Sequence, residues 1–210
     1  HTSLLLCAIA GLLVCVVCLL FSGQMLSMMN TKPELMDQAV LYMKIYALGM
    51  PAMAVYNFGN GVLSAAGDTK RPLLYLSIAG VVNVALNLFF VIQLGMGVDG
   101  VAWATVISEC VSAGLIIRSL MKENGAMKLH LTKLRIVSGK LTQIVRVGLP
   151  AGMQGAIFSI SNVLIQSSVN SFGSIAMAGN TASSNIEGFV YTAMNAVYPV
   201  SYTHLTLPTT

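Results

Sequence analysis

The residues of this sequence that could do chemistry are a few acidic and polar side chains spaced along apolar segments. Asn180, Ser184, Glu187, Tyr191 and Asn195 follow one another at steps of four, three, four and four. These steps place them on one face of a helix. An ionisable group such as Glu187 is costly inside a membrane and marks a functional site by default. Glu187 could exchange a proton, or hold Na⁺ with neighbouring oxygens as ligands, because hard cations prefer oxygen.

Other apolar segments carry polar residues at the same spacing. One has Gly148, Gly152, Gly155, Ser159, Asn162, Gln166 and Asn170, with Gln154 nearby, and another has Ser77, Gly80, Asn83 and Asn87. A second acid, Glu109, has Thr105 and Ser112 on its helical face. Such side chains either join helices or line a cavity. Packing is favoured for the glycines and serines, and the two interpretations are even for Asn83 and Asn87. The predicted cavity-lining residues are Asn180, Ser184, Tyr191, Asn195, Asn162, Gln166, Gln154, Asn83, Asn87 and Glu109.

No arrangement of catalytic residues competes with these polar faces. The sequence has no serine–histidine–acid set, no H-E-x-x-H motif and no Walker phosphate loop. His1, His130 and His204 are too scattered to predict a metal site, and the four cysteines lie in apolar runs as packing residues. We therefore expect a protein that is not an enzyme and needs no cofactor, with Na⁺ or H⁺ as a coupling ion.

The composition predicts an all-α integral membrane protein. Hydrophobic residues make up 56% of the 210 residues and charged residues only 9%, against roughly 25% charged residues in a soluble domain. The apolar residues occur in runs long enough to cross the hydrocarbon layer, which takes about 20 residues. Six transmembrane helices are predicted, at Ser3–Phe21, Ala39–Ala66, Leu73–Leu94, Val98–Met121, Ile144–Ser168 and Ile175–Val200.

The basic residues predict the orientation. If the spans alternate, nine of the 11 Lys and Arg residues lie on one side, two of them beside Asp68 and seven between Arg118 and Arg146. The positive-inside rule makes that side cytoplasmic, so residues 67–72 and 122–143 are predicted to be cytoplasmic. Leu134, Val137, Leu141 and Ile144 recur at helical spacing, which predicts an amphipathic helix at the inner membrane surface, in contact with anionic lipids. No aromatic or helix-turn-helix context accompanies the charges, so nucleic acid is not expected as a partner.

Several stretches together resemble the multidrug and toxic compound extrusion (MATE) family. They are "YNFGNGVLSAAGDTKRPLLY", "VVNVALNLFFV", "GVDGVAWATVIS", "VGLPAGMQGAIFSISNVLIQSSVNSFG" and "AGNTASSNIEGFVYTAMNA", in the family's order. The resemblance implies part of a twelve-helix, two-lobe transporter that exports organic cations in exchange for Na⁺ or H⁺. It implies that residues 1–121 are the third to sixth helices, in the N-lobe, that 122–143 form the cytoplasmic linker, and that 144–200 are the seventh and eighth helices, which begin the C-lobe.

The resemblance also suggests roles for individual residues. Glu187, within "NIEGF", matches an acid of similar bacterial members, which implies that it couples cation movement to transport. Glu109 lies where relatives more often have an amide. The resemblance further implies a multi-pass protein of a bacterial-type plasma (inner) membrane, monomeric when complete, with small organic cations and membrane lipids as partners.

Both ends of the sequence depart from the family pattern. The chain begins with His1 and has no basic region before its first apolar run, and "SYTHLTLPTT" replaces the expected turn at residues 201–210. We expect a partial chain with a non-native tail, unable to transport alone. Two alternatives to cation export stay open. A lipid-linked saccharide flippase of the same superfamily would need a more basic cavity than these spans offer, and a non-transporting membrane scaffold would use the polar faces for packing only.

Overall fold

The computed structural model describes residues 1–123, 128–130 and 134–206; for residue 193 and residues 195–206 it describes the backbone alone. Within these residues the chain forms six α-helices. They are α1 (Thr2–Met28), α2 (Pro33–Ala65), α3 (Lys70–Leu88), α4 (Val98–Lys122), α5 (Ser138–Ser171) and α6 (Ser174–Thr206), and α3 continues into a wider π-helical turn at Phe89–Gln93. The all-helical fold class is confirmed for the described residues.

Five of the six predicted spans are confirmed by length and apolar composition: α1, α2, α3 with its π-helical turn, α4 and α5. The sixth predicted span is a continuous helix, α6, but it is not among the described helices that are apolar enough to qualify. The physical reason is its polar face, since Asn180, Ser184 and Glu187 lower the hydropathy of the helix. The helix continues through Thr206, so residues 201–206 belong to α6 in this structure.

The predicted amphipathic helix of the linker differs from the structure. Residues 134–137 are not helical, and the helix begins at Ser138 and runs into the membrane-spanning part of α5 without a break. Leu134 and Val137 therefore do not share a helical face with Leu141. A local reason is that the Thr2 hydroxyl binds this segment, donating to the Arg135 carbonyl at 3.0 Å and accepting from the Val137 N–H at 3.2 Å. Lys133 lies outside the described residues.

The core lies where α2 packs between α1 and α4, while α3 packs against the outer side of α4. Leu4, Tyr56, Leu63, Ile116 and Leu120 form its buried centre. Two glycines, Gly11 on α1 and Gly59 on α2, allow α2 to lie close to α1 and to α4. A Cβ built on Gly11 of α1 would lie 2.9 Å from the Pro51 Cα, and one built on Gly59 of α2 would lie 2.7 Å from the Ile116 Cγ1. Small residues at such positions let apolar helices approach closely in a membrane.

Hydrogen bonds and ion pairs show which helix ends lie together. Arg71, at the start of α3, pairs with Glu123, just after the end of α4. At the other end of the bundle, the Asn30 amide of the α1–α2 turn donates to the Ser167 hydroxyl at 3.0 Å, near the end of α5. Lys70 and Arg71 at the start of α3 and Arg118 and Lys122 at the end of α4 therefore lie at the same end of this helix pair, and Arg135 lies beside the start of α1.

Candidate functional site: a buried amide cluster between two helices

A cluster of amide and hydroxyl groups joins α3 to α4 in the middle of their contact. The Asn83 Nδ2 donates to the Thr105 Oγ1 at 3.5 Å and to the Ser108 Oγ at 3.4 Å. One turn along α3, the Asn87 Nδ2 donates to the Asn83 Oδ1 at 3.0 Å. The sequence left helix packing and cavity lining as equal alternatives for Asn83 and Asn87. The structure places both side chains beside two hydroxyl groups of α4.

The hydroxyl groups of this cluster already use their protons. The Thr105 hydroxyl donates to the Val101 carbonyl at 3.0 Å, and the Ser108 hydroxyl donates to the Thr105 carbonyl at 2.8 Å. Each oxygen can therefore only accept from a further group. The Asn87 Oδ1 is buried and has no hydrogen-bond donor among the described residues. A buried acceptor without a partner is rare and costly, because it loses its hydration without gaining a hydrogen bond.

The connection between the two helices sets this register. The π-helical turn at Phe89–Gln93 leads into a tight turn in which Gly95 has a φ of 62°, a conformation that favours glycine. The Met96 N–H donates to the Phe90 carbonyl at 3.0 Å, which closes the turn. As α4 then runs antiparallel to α3, Asn83 faces Thr105 and Ser108 across the pair.

Glu109 lies next to this cluster in sequence but faces a different helix. Its Oε2 is buried and has no hydrogen-bond partner among the described residues. A Cβ built on Gly49 of α2 would overlap that oxygen, so the carboxyl group occupies the space that the glycine leaves. Ser112, expected beside the carboxyl group, instead donates to the Glu109 backbone carbonyl at 2.8 Å.

The two buried side-chain atoms without a hydrogen-bond partner among the described residues are both acceptor oxygens, Oδ1 of Asn87 and Oε2 of Glu109. Oxygen acceptors suit a hard cation such as Na⁺, and a carboxyl oxygen also suits a proton. The described residues contain no group of three or more His, Cys, Asp or Glu side chains that could hold a transition metal. The two oxygens lie at separate positions, one beside Asn83 on α3 and the other against Gly49 of α2.

The polar face of α6 is arranged differently. Ser184, Glu187 and Tyr191 line a shallow depression of about 470 Å³ that residues of α6 alone form. The Glu187 side chain is exposed, and Asn180 is half-buried. No other described element supplies a ligand to this depression, and the Asn195 side chain lies outside what the structure describes. The structure thus keeps these residues on one face but does not assemble them into a site.

The polar face of α5 divides into two parts. Gln154 and Asn162 are exposed. Near the end of the helix, the Gln166 amide donates to the Asn170 Oδ1 at 2.8 Å, and the Asn170 amide donates to the Met29 carbonyl at 2.8 Å. Gln166 and Asn170 therefore connect α5 to the end of α1, and in this structure their contacts are those of helix packing.

Two residues of this region, one in the amide cluster and one beside Glu109, were not predicted from the sequence. Ser108 was not among the candidate residues, although it lies three residues after Thr105, a spacing that shares a helical face. Gly49 was also missed as a neighbour of Glu109. Nothing in the spacing of one helix reveals which residue of another helix it meets, so the second omission had no sequence signal.

Comparison with known proteins agrees with this architecture. Residues 1–89 match the family model described as MatE. The chain is 28% identical over 198 residues to the probable multidrug resistance protein YoeA of Bacillus subtilis (strain 168), which covers 90% of the chain and 42% of that protein. It is 26% identical over 178 residues to the probable multidrug resistance protein YpnP of the same organism, covering 80% of the chain and 38% of that protein. The chain thus spans about two fifths of the length of these relatives.

A solved structure gives the same result at the level of the fold. The crystal structure of a MATE protein in a bent conformation matches with a TM-score of 0.72 and 27% identity, over 87% of the chain and 41% of the solved chain. The family model, the relatives and the solved structure all make this chain similar to part of a MATE transporter, over about two fifths of the length of those proteins.

Proposed function

We propose that this chain forms part of a secondary antiporter that exports bulky organic cations in exchange for Na⁺ or H⁺. Transport would proceed by alternating access between two helical lobes. The observation that carries the proposal is two buried acceptor oxygens that have no donor among the described residues, Oδ1 of Asn87 between α3 and α4 and Oε2 of Glu109 against α2. An antiporter needs a site that binds a cation in one state and releases it in another, and unpaired oxygens at membrane depth provide that capacity.

The amide cluster supports Na⁺ binding between α3 and α4. Asn87 offers its free Oδ1, while the Thr105 and Ser108 oxygens accept bonds from Asn83 that a bound ion would displace. The Asn83 Oδ1 keeps its bond from the Asn87 amide, which holds the Asn87 side chain in place. The site would then present oxygens from both helices, and its occupancy would respond to any movement of α3 against α4.

Glu187 remains our proposed coupling residue in the second lobe. Its exposure on α6 leaves the carboxyl group free to meet helices that pack on this face in a complete transporter. Cationic cargo is favoured because the spans contain Glu109 and Glu187 but few basic residues. We further propose that the basic end of the bundle faces the cytoplasm of a bacterial inner membrane, with residues 67–72 and 122–143 on that side.

The ion site can be tested on the chain itself. The purified chain in lipid nanodiscs is unfolded by heat in NaCl and in KCl at equal ionic strength. An ion that binds only the folded state stabilises it, by about 2.7 kcal/mol when its concentration is 100 times the dissociation constant. We expect Na⁺-dependent stabilisation that Asn87→Ala removes and that Asn162→Ala, at an exposed position on α5, retains. Equal stability of the wild type in both salts would contradict Na⁺ binding at this cluster.

Transport is tested in the complete transporter that carries this chain. Efflux of a fluorescent organic cation is followed in a drug-sensitive host, with Na⁺ and pH gradients imposed separately. Glu187→Gln should abolish gradient-driven efflux at unchanged membrane expression. Unchanged efflux would reduce Glu187 to packing and leave Glu109→Gln as the next variant. A wild type that moves no cation would favour the lipid-linked saccharide flippase, and a loss of folding without any change in ion dependence would favour the scaffold.

A further inference from the structure

A charged cleft lies at the end of the bundle where α3 begins and α4 ends. It has a volume of about 360 Å³, and its lining includes Arg71, Tyr75, Leu115, Arg118, Lys122 and Glu123. Three of these six side chains are cationic and one is acidic. The cleft lies outside the amide cluster and outside the polar faces of α5 and α6, so the proposed transport mechanism does not use it.

Of the three cationic side chains that line the cleft, only Arg71 forms a salt bridge with a described carboxylate. Arg71 pairs with both Asp68 and Glu123, and its Nη1 also donates to the Ser119 Oγ at 3.3 Å. These contacts fix the guanidinium group at the rim and use the acid that lines the cleft. Arg118 and Lys122 are exposed and form no salt bridge with any described carboxylate.

The spacing of the two remaining cations favours a shared anion. Arg118 and Lys122 are four residues apart on α4, so their side chains project from the same face. Like charges at this spacing destabilise a helix by a few tenths of a kcal/mol. An anion between the two side chains would turn this repulsion into attraction, and an Arg and a Lys side chain both donate readily to phosphate oxygens.

The cleft changes from charged to apolar along the helix axis. Arg118 and Lys122 lie at the end of α4, whereas Leu115 lies about one turn deeper in the apolar part of the helix. Tyr75 lies about one turn into α3 from Arg71. Tyrosine is enriched at membrane interfaces, and basic pockets between transmembrane helices bind anionic lipid headgroups. A free phosphate ion would use the charged rim only, and the apolar wall would be left unexplained.

We propose that this cleft binds the phosphate group of an anionic phospholipid, with Arg118 and Lys122 at the phosphate and Leu115 beside an acyl chain. The ligand comes from the leaflet at this end of the bundle; calling it the cytoplasmic leaflet rests on the orientation proposed above. Lipid in the cleft would brace the end of α4 against the start of α3, the same helix pair that holds the amide cluster.

The test measures lipid retention by the purified chain in native mass spectrometry, with phosphatidylglycerol and phosphatidylcholine offered separately. We expect the wild type to retain one phosphatidylglycerol and no comparable phosphatidylcholine. The double variant Arg118→Gln/Lys122→Gln should bind phosphatidylglycerol roughly thirtyfold more weakly, since each basic residue near a lipid surface contributes about a factor of five. The matched control Lys140→Gln/Arg146→Gln removes the same charge from the start of α5 and should retain the lipid.

Three outcomes would overturn the proposal. Equal losses in the two double variants would mean diffuse charge attraction without a site. Equal retention of both lipids by the wild type would remove the phosphate selectivity. Displacement of phosphatidylglycerol by excess inorganic phosphate would identify a free-anion site instead of a lipid site. Circular dichroism checks that each variant is folded. None of these measurements depends on transport, so their results test the lipid site independently of the proposed antiport.

Discussion

The contact between α1 and α2 at Gly11 leads to a sharp prediction about stability. Gly11→Ala would add a Cβ atom 2.9 Å from the Ala54 Cβ, 2.9 Å from the Pro51 Cα and 3.0 Å from the Met50 carbonyl oxygen. Two of these three atoms belong to the backbone of α2, so no side-chain rotation relieves the overlap. The helices must separate, or α2 must shift near Pro51.

The magnitude follows from the distances. Carbon atoms in favourable contact lie about 3.5–4.0 Å apart, so the new methyl group is too close by roughly 0.6–1.1 Å. Overpacking of a well-packed interior costs about 1–3 kcal/mol. We expect the free energy of unfolding to fall by that amount, which raises the unfolding equilibrium constant about 5- to 140-fold.

The assay is an SDS titration of the purified chain in mixed micelles, with helix content followed by circular dichroism. Gly23→Ala is the matched control, because it lies on the same helix and a Cβ there meets no atom within 4 Å. Any gain in helix propensity, at most about 1 kcal/mol, applies to both variants and cancels in their difference. Equal unfolding midpoints for the two variants would refute the close approach of α1 and α2 at this position.

Two further predictions concern the turn between α2 and α3. The side-chain hydrogen bond from Arg71, together with the Arg71 and Lys70 backbone N–H groups, holds the pKa of Asp68 below its usual range. The stability that the Asp68 carboxylate contributes is therefore fully present above its pKa in the unfolded chain, about 4, and is lost as the pH falls through its lower pKa in the folded chain. Asp68→Asn should remove this acid-dependent loss from unfolding curves recorded at a series of acidic pH values. An unchanged acid dependence in the variant would contradict the pairing of Asp68 with Arg71. The buried Tyr56 hydroxyl donates to the Pro72 carbonyl at 3.0 Å. Tyr56→Phe should therefore lower the free energy of unfolding by about 0.5–1.5 kcal/mol, measured in the same SDS titration. The control Tyr191→Phe, at an exposed position, should leave the free energy of unfolding unchanged.

The roles of the two asparagines of α3 illustrate how packing and ion binding can share residues. Asn83 joins α3 to α4 in this structure through the Thr105 and Ser108 hydroxyl groups. A cation held by the Asn87 Oδ1 would take the place of the Asn83 amide at these two hydroxyl oxygens. Packing and cavity lining, which the sequence left as equal alternatives, are thus two states of one cluster in our proposal.

The sequence by itself determined the membrane class, the approximate spans and the faces on which polar residues lie. Long apolar runs have one stable outcome in a bilayer, since a helix satisfies its backbone hydrogen bonds internally. The turn at Asp68 was likewise predictable, because charged residues between two apolar runs have to lie at a membrane surface. Two predictions differ from the structure, the sixth span in its apolar character and the linker helix at residues 134–137. Polar residues make α6 less apolar than the other helices, and contacts with Thr2 hold residues 134–137 out of the helix.

Only the tertiary structure decided which faces meet. Helical spacing puts Glu109, Thr105 and Ser112 on one side of α4, but the distance between helices and their rotation about their axes depend on how all the helices pack. The structure directs the Glu109 carboxyl group at Gly49 of α2, and turns Ser108 with Thr105 toward Asn83 of α3. The missing side chain of Gly49 is what makes room for a buried acid, and that space exists only once α2 and α4 are in contact.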